Sequence, residues 1–435
     1  MTTQKKLNIG VFGGYRGKAM IKVLFNHPDA RLAAVCDKYQ PILDKVKAQA
    51  EELGTEVACY DNFEDFIKHP ELDAVVLANY ATEHATFAVR CMKEGKHVLS
   101  EVLPCETIAQ AVELIETVEA TGMVYSYAEN YCYMSHSFEM WRRYRTGEIG
   151  DVKYAEANYF HDCSGAWPDI TYGDRNHWRN RLHPTFYCTH SLGPLMTITG
   201  LRPKSVVGFE ILPPDSITAV GRRAGAGMEI VTMENGAVFK STHGPIKREP
   251  VLVQHMIYGN TGCMEGTMKT KRIKEDEVFN IYKESETVCS GEWENYEPDP
   301  FVAKETWEQS NSKGHGGSDF YPTHCFIEKI LGREDGKWSI DVYTAVDMGI
   351  VGLLAYRSIL AGNVSVDIPN LRNKEERDAW RNDNACTNPD IAGDALLPTT
   401  SIPALREPLS DEVYERVRNM WLENEKKKTT NNGAF

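Results

Sequence analysis

The run Leu7-Asn8-Ile9-Gly10-Val11-Phe12-Gly13-Gly14-Tyr15-Arg16-Gly17 decides the fold: a short apolar strand breaks into a glycine turn, and a helix-like segment follows. A second apolar run, Arg31-Leu32-Ala33-Ala34-Val35-Cys36, ends in Asp37, twenty residues beyond Gly17. Strand, glycine turn, helix, strand and acid in that order are the parts of a dinucleotide-binding βαβ unit. Glycines let backbone amides approach a pyrophosphate, the helix N-terminus offers partial positive charge, and the carboxylate accepts from a ribose 2′-hydroxyl. Asp37 therefore argues for NAD over NADP, whose 2′-phosphate it would repel. Against the pattern G-x-G-x-x-G the turn is one residue short, with Gly13 and Gly14 adjacent, so the glycines alone also fit an ordinary turn. Asp37 has a second reading as a cap for the following helix.

Context favours the nucleotide fold. A strand follows in Leu72–Ala78, then His84 and a helix-like segment, then Gly95-Lys96-His97-Val98-Leu99-Ser100-Glu101, and Met123–Tyr127 makes a last strand. Strands alternating with helices in this way build a parallel sheet. After a helix over 135–146 the period turns strand-like, at Val152–Tyr159, Ser205–Ile211, Gly227–Met233, Ala237–Ser241, Val253–Tyr258 and Glu286–Cys289, with Gly, Pro and Asn turns between. The expected class is α/β: an N-terminal Rossmann doubly wound parallel sheet, then an α+β domain with a mostly antiparallel open sheet. The expected division is 1–125 for the NAD-binding domain, 126–368 for a substrate-binding and oligomerisation domain, and 369–435 for a C-terminal extension. Asp341–Ala361 reads as a strong helix, Val364–Ile368 as a short strand, and 410–425 as a last helix before a frayed tail.

The 435 residues exceed one typical domain, and 42% apolar content suffices for two cores. A net charge of −14 disfavours nucleic acid as a partner, because such proteins carry a basic face. No apolar run approaches the roughly 18 residues that span a bilayer, so no membrane partner is expected. Met1–Lys6 leads straight into the first strand and leaves no room for a secretory signal, so a cytoplasmic location is expected. The eleven cysteines form no C-x-x-C pair and read as reduced thiols.

Two long segments, 160–195 and 295–322, are dense in His, Trp, Tyr, Arg and Gly, and long loops inside compact domains are usually functional. His161, Asp162, His177, His183 and His190 form a loose cluster but lack the two-, three- or four-residue ligand spacings of metal helices, so no metal is expected. Asp319 reads most simply as the N-cap of a helix over Tyr321–Leu331.

Several phrases together resemble one family. Asp73–Glu101, with Val75-Val76-Leu77-Ala78, His84 and Gly95–Glu101, looks like the fourth- and fifth-strand signature of the Gfo/Idh/MocA oxidoreductases. Where most of that family continues Glu-Lys-Pro, this chain reads Glu101-Val102-Leu103-Pro104, so the usual active-site lysine is absent. A Glu-Val pair there resembles the NAD-dependent α-N-acetylgalactosaminidase branch. Tyr187-Cys188-Thr189-His190-Ser191-Leu192-Gly193-Pro194 resembles that branch's Tyr-Pro-Thr-His-Gly-Leu-Gly-Pro, and Ala128-Glu129-Asn130-Tyr131 its Glu-Asn segment. Tyr159-Phe160-His161-Asp162 is similar to its Tyr-Ile-His-Glu, and Gly314–Phe320 to its Gly-His-Gly-Gly-x-Asp, while Trp178 stands twelve residues before His190, as there.

The resemblance implies NAD contacts at Arg16, Gly17, Asp37, His84, Glu101, Val102 and Asn130, beside Gly13 and Gly14 of the turn. It implies sugar contacts at Tyr159, Arg181, Tyr187 and His190, with Arg179 competing for the arginine role. A further tyrosine of the branch falls here on Val251. It also implies a carbohydrate substrate and a homo-oligomer. The chemistry it carries is oxidation at C3 of the sugar, elimination at C1, water addition and re-reduction, an exception to the two-carboxylate rule of glycosidases. In that scheme His190 serves the C3 hydroxyl, Tyr187 either C2 or the leaving group, and Arg181 or Arg179 the enolate. A net sugar or cyclitol dehydrogenase and a non-catalytic NAD- and sugar-binding regulator are the alternatives. Taken one by one, His190 also fits a structural histidine, and Tyr159 and Tyr187 fit core aromatics.

Overall fold

The computed structural model describes residues 6–285, 290–299 and 314–430. Its contacts group the chain into two units, one of residues 1–134 and 300–346 with the last two residues, the other of 135–299 and 347–433. The first unit therefore takes in a second, distant stretch of chain, which a linear division at residue 125 does not foresee. The strand candidate Glu286–Cys289 and much of the segment 295–322 lie outside the described residues.

The first unit is a six-stranded sheet of β1 (Leu7–Phe12), β2 (Ala30–Cys36), β3 (Ala58–Tyr60), β4 (Ala74–Leu77), β5 (His97–Ser100) and β6 (Tyr125–Tyr127), in the order β3-β2-β1-β4-β5-β6. All its pairings are parallel, Val11 standing opposite Val35 and Val76. Parallel strands covered on both faces read as continuous apolar runs, and all four residues of β4 are fully buried. The core gathers Ile9, Val11, Val76 and Leu99 with Met20, Ile21 and Leu24 of the helix Lys18–Asn26. Phe326 and Ile327, from the returning helix Phe320–Ile330, complete it.

The second unit is a nine-stranded sheet of β7 (Val152–Phe160), β8 (Pro203–Ile211), β9 (Ala226–Met233), β10 (Val238–Gly244), β11 (Leu252–Gly259), β12 (Gly262–Thr267), β13 (Phe279–Glu284), β14 (Gly291–Tyr296) and β15 (Val366–Asp367). Their order is β14-β13-β12-β11-β7-β10-β9-β8-β15. Only the central β7–β10 pair is parallel; the other pairings are antiparallel, as expected for the class. On β7 the buried positions are Val152, Ala155, Ala157 and Tyr159, alternating with more exposed ones. The two alanines leave room for a helix to lie close, and Thr189–Thr199 fills that place.

Thr189–Thr199 corrects the expectation of irregular chain through residue 195. Gly193 and Pro194 mid-helix hide it from a propensity reading, and it is buried along nearly its whole length, so it shows no amphipathic period. It ends at Gly200, whose φ of +73° and amide bond to the Met196 carbonyl form a left-handed cap. Val342–Leu360 is long and apolar enough to cross a membrane, but 83% of that stretch is buried inside the protein. The last helix, Asp411–Thr430, continues five residues past the expected end at 425.

Candidate functional site

In the first unit the predicted nucleotide residues converge on the C-terminal edge of the sheet. Gly13 has φ +97°, and a Cβ there would stand 2.3 Å from the Ala78 carbonyl oxygen just beyond β4. A Cβ on Gly17 would stand 2.5 Å from the Gly13 carbonyl oxygen, to which the Gly17 amide donates at 2.9 Å. Only glycine fits either place, so β1, the turn and the helix N-terminus form the bare backbone cradle that a dinucleotide pyrophosphate requires. Asp37 at the end of β2 accepts from the Gly14 amide at 2.7 Å and the Tyr39 amide at 2.8 Å. It does not cap the helix Gln40–Glu52, whose N-cap residue is Tyr39.

Arg16 and Glu101, both expected to touch the cofactor, touch each other: Arg16 Nη2 lies 2.6 Å from Glu101 Oε1. Arg16 also lies 3.6 Å from Asp319 Oδ1, which accepts from Asn130 Nδ2 at 2.8 Å. The other Asp319 oxygen accepts from His315 Nδ1 at 2.8 Å. Burial works against charge on Asp319, but the His315 bond, the Arg16 guanidinium and the Asn130 amide outweigh it and hold the carboxyl below its ordinary value. Asp319 is the N-cap residue of Phe320–Ile330, as read, but its side chain makes no cap bond to that helix. It ties the turn of residue 16 to Asn130 instead, a connection that sequence spacing does not reveal.

His84 opens the helix His84–Lys93 and donates Nδ1–H to the Leu103 carbonyl at 3.2 Å. Burial pushes it down to about 4, so it is a neutral imidazole at physiological pH. Val102, in the place of the family's lysine, is buried, and its amide donates to Glu101 Oε2 at 3.2 Å. No amine stands at that position.

In the second unit three of the four predicted sugar residues come together. His190, 7% exposed near the start of Thr189–Thr199, lies edge-on between two phenols: its ring centroid is 4.9 Å from Tyr159 and 4.9 Å from Tyr187. Tyr159 Oη is 2.9 Å from His161 Nδ1. Arg181 Nη1 lies 3.9 Å from Asp390 Oδ2. Arg222, which nothing in the sequence marked, is electrostatically coupled to Tyr187; burial pushes its guanidinium down to about 10, still protonated at neutral pH.

A buried network that sequence reasoning missed anchors this cluster. Tyr159 and His243 are register partners on β7 and β10, so their side chains share one face. His243 donates Nε2–H to Glu229 Oε1 at 2.9 Å, and Ser241 donates to Glu229 Oε2 at 2.8 Å. Ser191, the neighbour of His190, lies 2.8 Å from Ser241. The chain Ser191, Ser241, Glu229, His243 thus fastens the helix of His190 to two strands, with Gly227 leaving space for the imidazole.

The loose histidine cluster does not converge. His177 Nδ1 caps the Arg179 amide, Asp162 pairs with Lys247 at 2.6 Å, and His183 stacks on Tyr356 with Nε2 3.4 Å from Glu210. Among the described residues the one metal-like group is His324, Glu328 and Asp335 in the first unit. Its atoms are already bonded, His324 to His27 and Asp335, Glu328 to Arg333.

Residues 7–129 match the family described as oxidoreductase family, NAD-binding Rossmann fold, and residues 227–378 match the glycosyl hydrolase 109 C-terminal domain. An alpha-N-acetylgalactosaminidase of Shewanella oneidensis is 23% identical over 403 residues, 86% of each chain. A glycosyl hydrolase family 109 protein of another Shewanella strain is similar to the same extent. Among solved structures, levoglucosan dehydrogenase in complex with NADH superposes with a TM-score of 0.65 at 16% identity, covering 84% of this chain and 100% of that one. For myo-inositol 2-dehydrogenase from Lactobacillus plantarum the TM-score is 0.63 at 16% identity, with the same coverage. These two likenesses establish the fold.

Proposed function

Because the chain belongs to the Gfo/Idh/MocA oxidoreductases and carries a C-terminal domain of the glycosyl hydrolase 109 type, we propose that this NAD-binding enzyme is a redox-neutral glycosidase working through a transient ketone at C3 of its sugar. The observation that carries this reading is His190 held between Tyr159 and Tyr187, proton-transfer groups with no pair of carboxylates of the ordinary glycosidase kind among them.

Gly13, Gly14 and Gly17 would hold the pyrophosphate, Asp37 the adenosine ribose, and Arg16, His84, Glu101, Val102 and Asn130 the remainder of NAD. Bound NAD supplies the hydride acceptor at C3 and, at the end, the hydride donor there. His190 takes the proton of the C3 hydroxyl, leaving a ketone that acidifies the C2 proton. Tyr159 passes its hydroxyl proton to His161 and takes up that C2 proton in its place. Tyr187 protonates the departing C1 oxygen as the C1–O bond breaks. Tyr159 and Tyr187 then guide water across the C1–C2 double bond, and His190 returns its proton to O3. A positioned proton donor or acceptor of this kind contributes roughly 10²- to 10⁴-fold.

The test is incubation with NAD and aryl glycosides in deuterated water. Aglycone release with deuterium at C2 supports the proposal; NADH accumulating in proportion to substrate identifies a net dehydrogenase, and neither outcome leaves a binding protein. His190→Ala is expected to lower turnover at least 100-fold while NAD affinity stays within threefold. Unchanged turnover removes His190 from the mechanism.

A further inference from the structure

Two arginines of the second unit, Arg222, which acts electrostatically on Tyr187, and its neighbour Arg179, find no carboxylate to pair with among the described residues. Arg222 is half-buried, donates Nε–H to the Ala224 carbonyl at 3.1 Å, and lies with Cζ 5.1 Å from the centre of the Trp167 ring. Among the described residues its two terminal nitrogens have no hydrogen bond and no ion pair. Arg179 lies 4.4 Å over Trp178, and among the described residues its guanidinium has no hydrogen bond and no ion pair. Trp167 donates Nε1–H to Asn180 at 2.8 Å, so the indole under Arg222 is fastened to the residue next to Arg179.

The two cations feel each other, and both act on the half-buried Cys163 thiol. Glu210, the carboxylate that also acts on Arg222, is already engaged by His183, Thr400 and Ser401. Elsewhere in the chain half-buried arginines hold carboxylates: Arg143 has Glu139, Glu148 and Glu294, and Arg357 has Asp383. Two neighbouring guanidinium groups left with donor atoms to spare form a site that an oxyanion completes, because the planar fork matches carboxylate, sulfate and phosphate alike. In a chain of net charge −14, whose overall field repels anions, such a local excess of positive charge has a purpose.

We propose that Arg179 and Arg222, beside Tyr187, form an anion subsite, and that the sugar this protein takes carries an acidic substituent. The inference rests on Tyr187 and His190 as the sugar-binding residues. It departs from the uncharged N-acetylated sugar in the name of the Shewanella relative.

Calorimetric titration of the full chain saturated with NAD tests it without requiring turnover. The probes are glucuronate, galacturonate, glucose 6-phosphate and galactose 6-sulfate, against glucose and galactose. At least one acidic sugar is expected to bind tenfold or more tightly than its neutral parent, with the advantage shrinking as salt rises. Arg222→Gln and Arg179→Gln are each expected to abolish that advantage, and Arg222→Lys to keep part of it. Thermal melts establish that the variants are folded. Equal binding of neutral and acidic sugars, an advantage that survives Arg222→Gln, or no binding of any acidic probe overturns the proposal. A chain that binds an acidic sugar but releases no aglycone from its glycosides keeps the subsite and loses the glycosidase reading.

Discussion

Arg16 and Glu101 meet in a 2.6 Å ion pair, so the turn after the first strand is clasped by the residue that follows the fifth. The two ends differ in setting: the Glu101 side chain is 3% exposed, that of Arg16 34%. Removing the arginine strands a buried carboxylate, and its partial exposure moderates the loss. Arg16→Met is expected to lower stability by about 2 kcal/mol in urea unfolding. Arg16→Met with Glu101→Gln should recover at least half of that. A double variant no more stable than the single one would show that the pair does not account for the loss.

Gly13→Ala places a methyl group where the Ala78 carbonyl already stands, at a φ that L-residues avoid. NAD affinity is expected to fall at least tenfold, about 1.4 kcal/mol, in a fluorescence titration. Gly95→Ala is the control: its φ is +70°, but nothing lies within 4 Å of the added methyl. It should lower stability by about 1 kcal/mol and leave NAD binding alone. Equal effects of the two on NAD affinity would remove the turn from the cofactor site.

Asp37 holds the Gly14 amide, and a carboxylate at the end of the second strand would oppose a 2′-phosphate. Asp37→Ala is expected to shrink the ratio of NADP to NAD dissociation constants at least tenfold. An unchanged ratio means that another group makes the distinction.

Acid should weaken the fold in two stages. Burial pushes His27, His84 and His183 down to about 4 and His255 to about 3, whereas the unfolded chain titrates near 6.5. Unfolding therefore takes up protons below pH 6.5. The stability tied to these neutral imidazoles is complete above that pH and drains away as pH falls toward 4, about 1.4 kcal/mol per pH unit for each. Burial raises Glu139 and Glu210, but bonds from Arg142, Tyr296 and Arg143 to the first and from His183, Ser401 and Thr400 to the second bring both down to about 2. Their share is complete above about 4.5 and is lost only as pH falls toward 2. Urea unfolding from pH 7 to 4 should show the first stage, and His255→Asn should flatten its slope by close to one proton. A stability constant from pH 6.5 to 5 would contradict the assignment.

The Rossmann half was legible because its strands are buried on both faces and its turn demands glycine, so Leu7–Phe12, Ala30–Cys36 and Ala74–Leu77 stand out as apolar runs. Strands β12 to β14 were not read. Gly262–Thr267 is broken by glycines, and Gly291–Tyr296 is an edge strand, mostly exposed and rich in charge, without apolar alternation. Tyr159, Tyr187 and His190 were found through a resemblance of phrases, and the structure brings them together. Glu229, His243 and Arg222 meet that cluster only through strand register and loop folding, which no local pattern encodes. Asp319 was read for its place before a helix, but its carboxylate bonds to His315 and to Asn130, 189 positions away, which that place does not reveal.

The interleaving of the two units bears on how the protein comes off the ribosome. Ile9, Val11, Val76 and Leu99 share their cluster with Phe326 and Ile327, so the amino-terminal sheet stays short of one wall while the 192 residues between Tyr127 and Phe320 are still being made. The other unit waits as well, since it needs residues beyond 347. Neither half can finish early, and a nascent chain halted between them would present apolar surface to chaperones in place of a finished nucleotide-binding module.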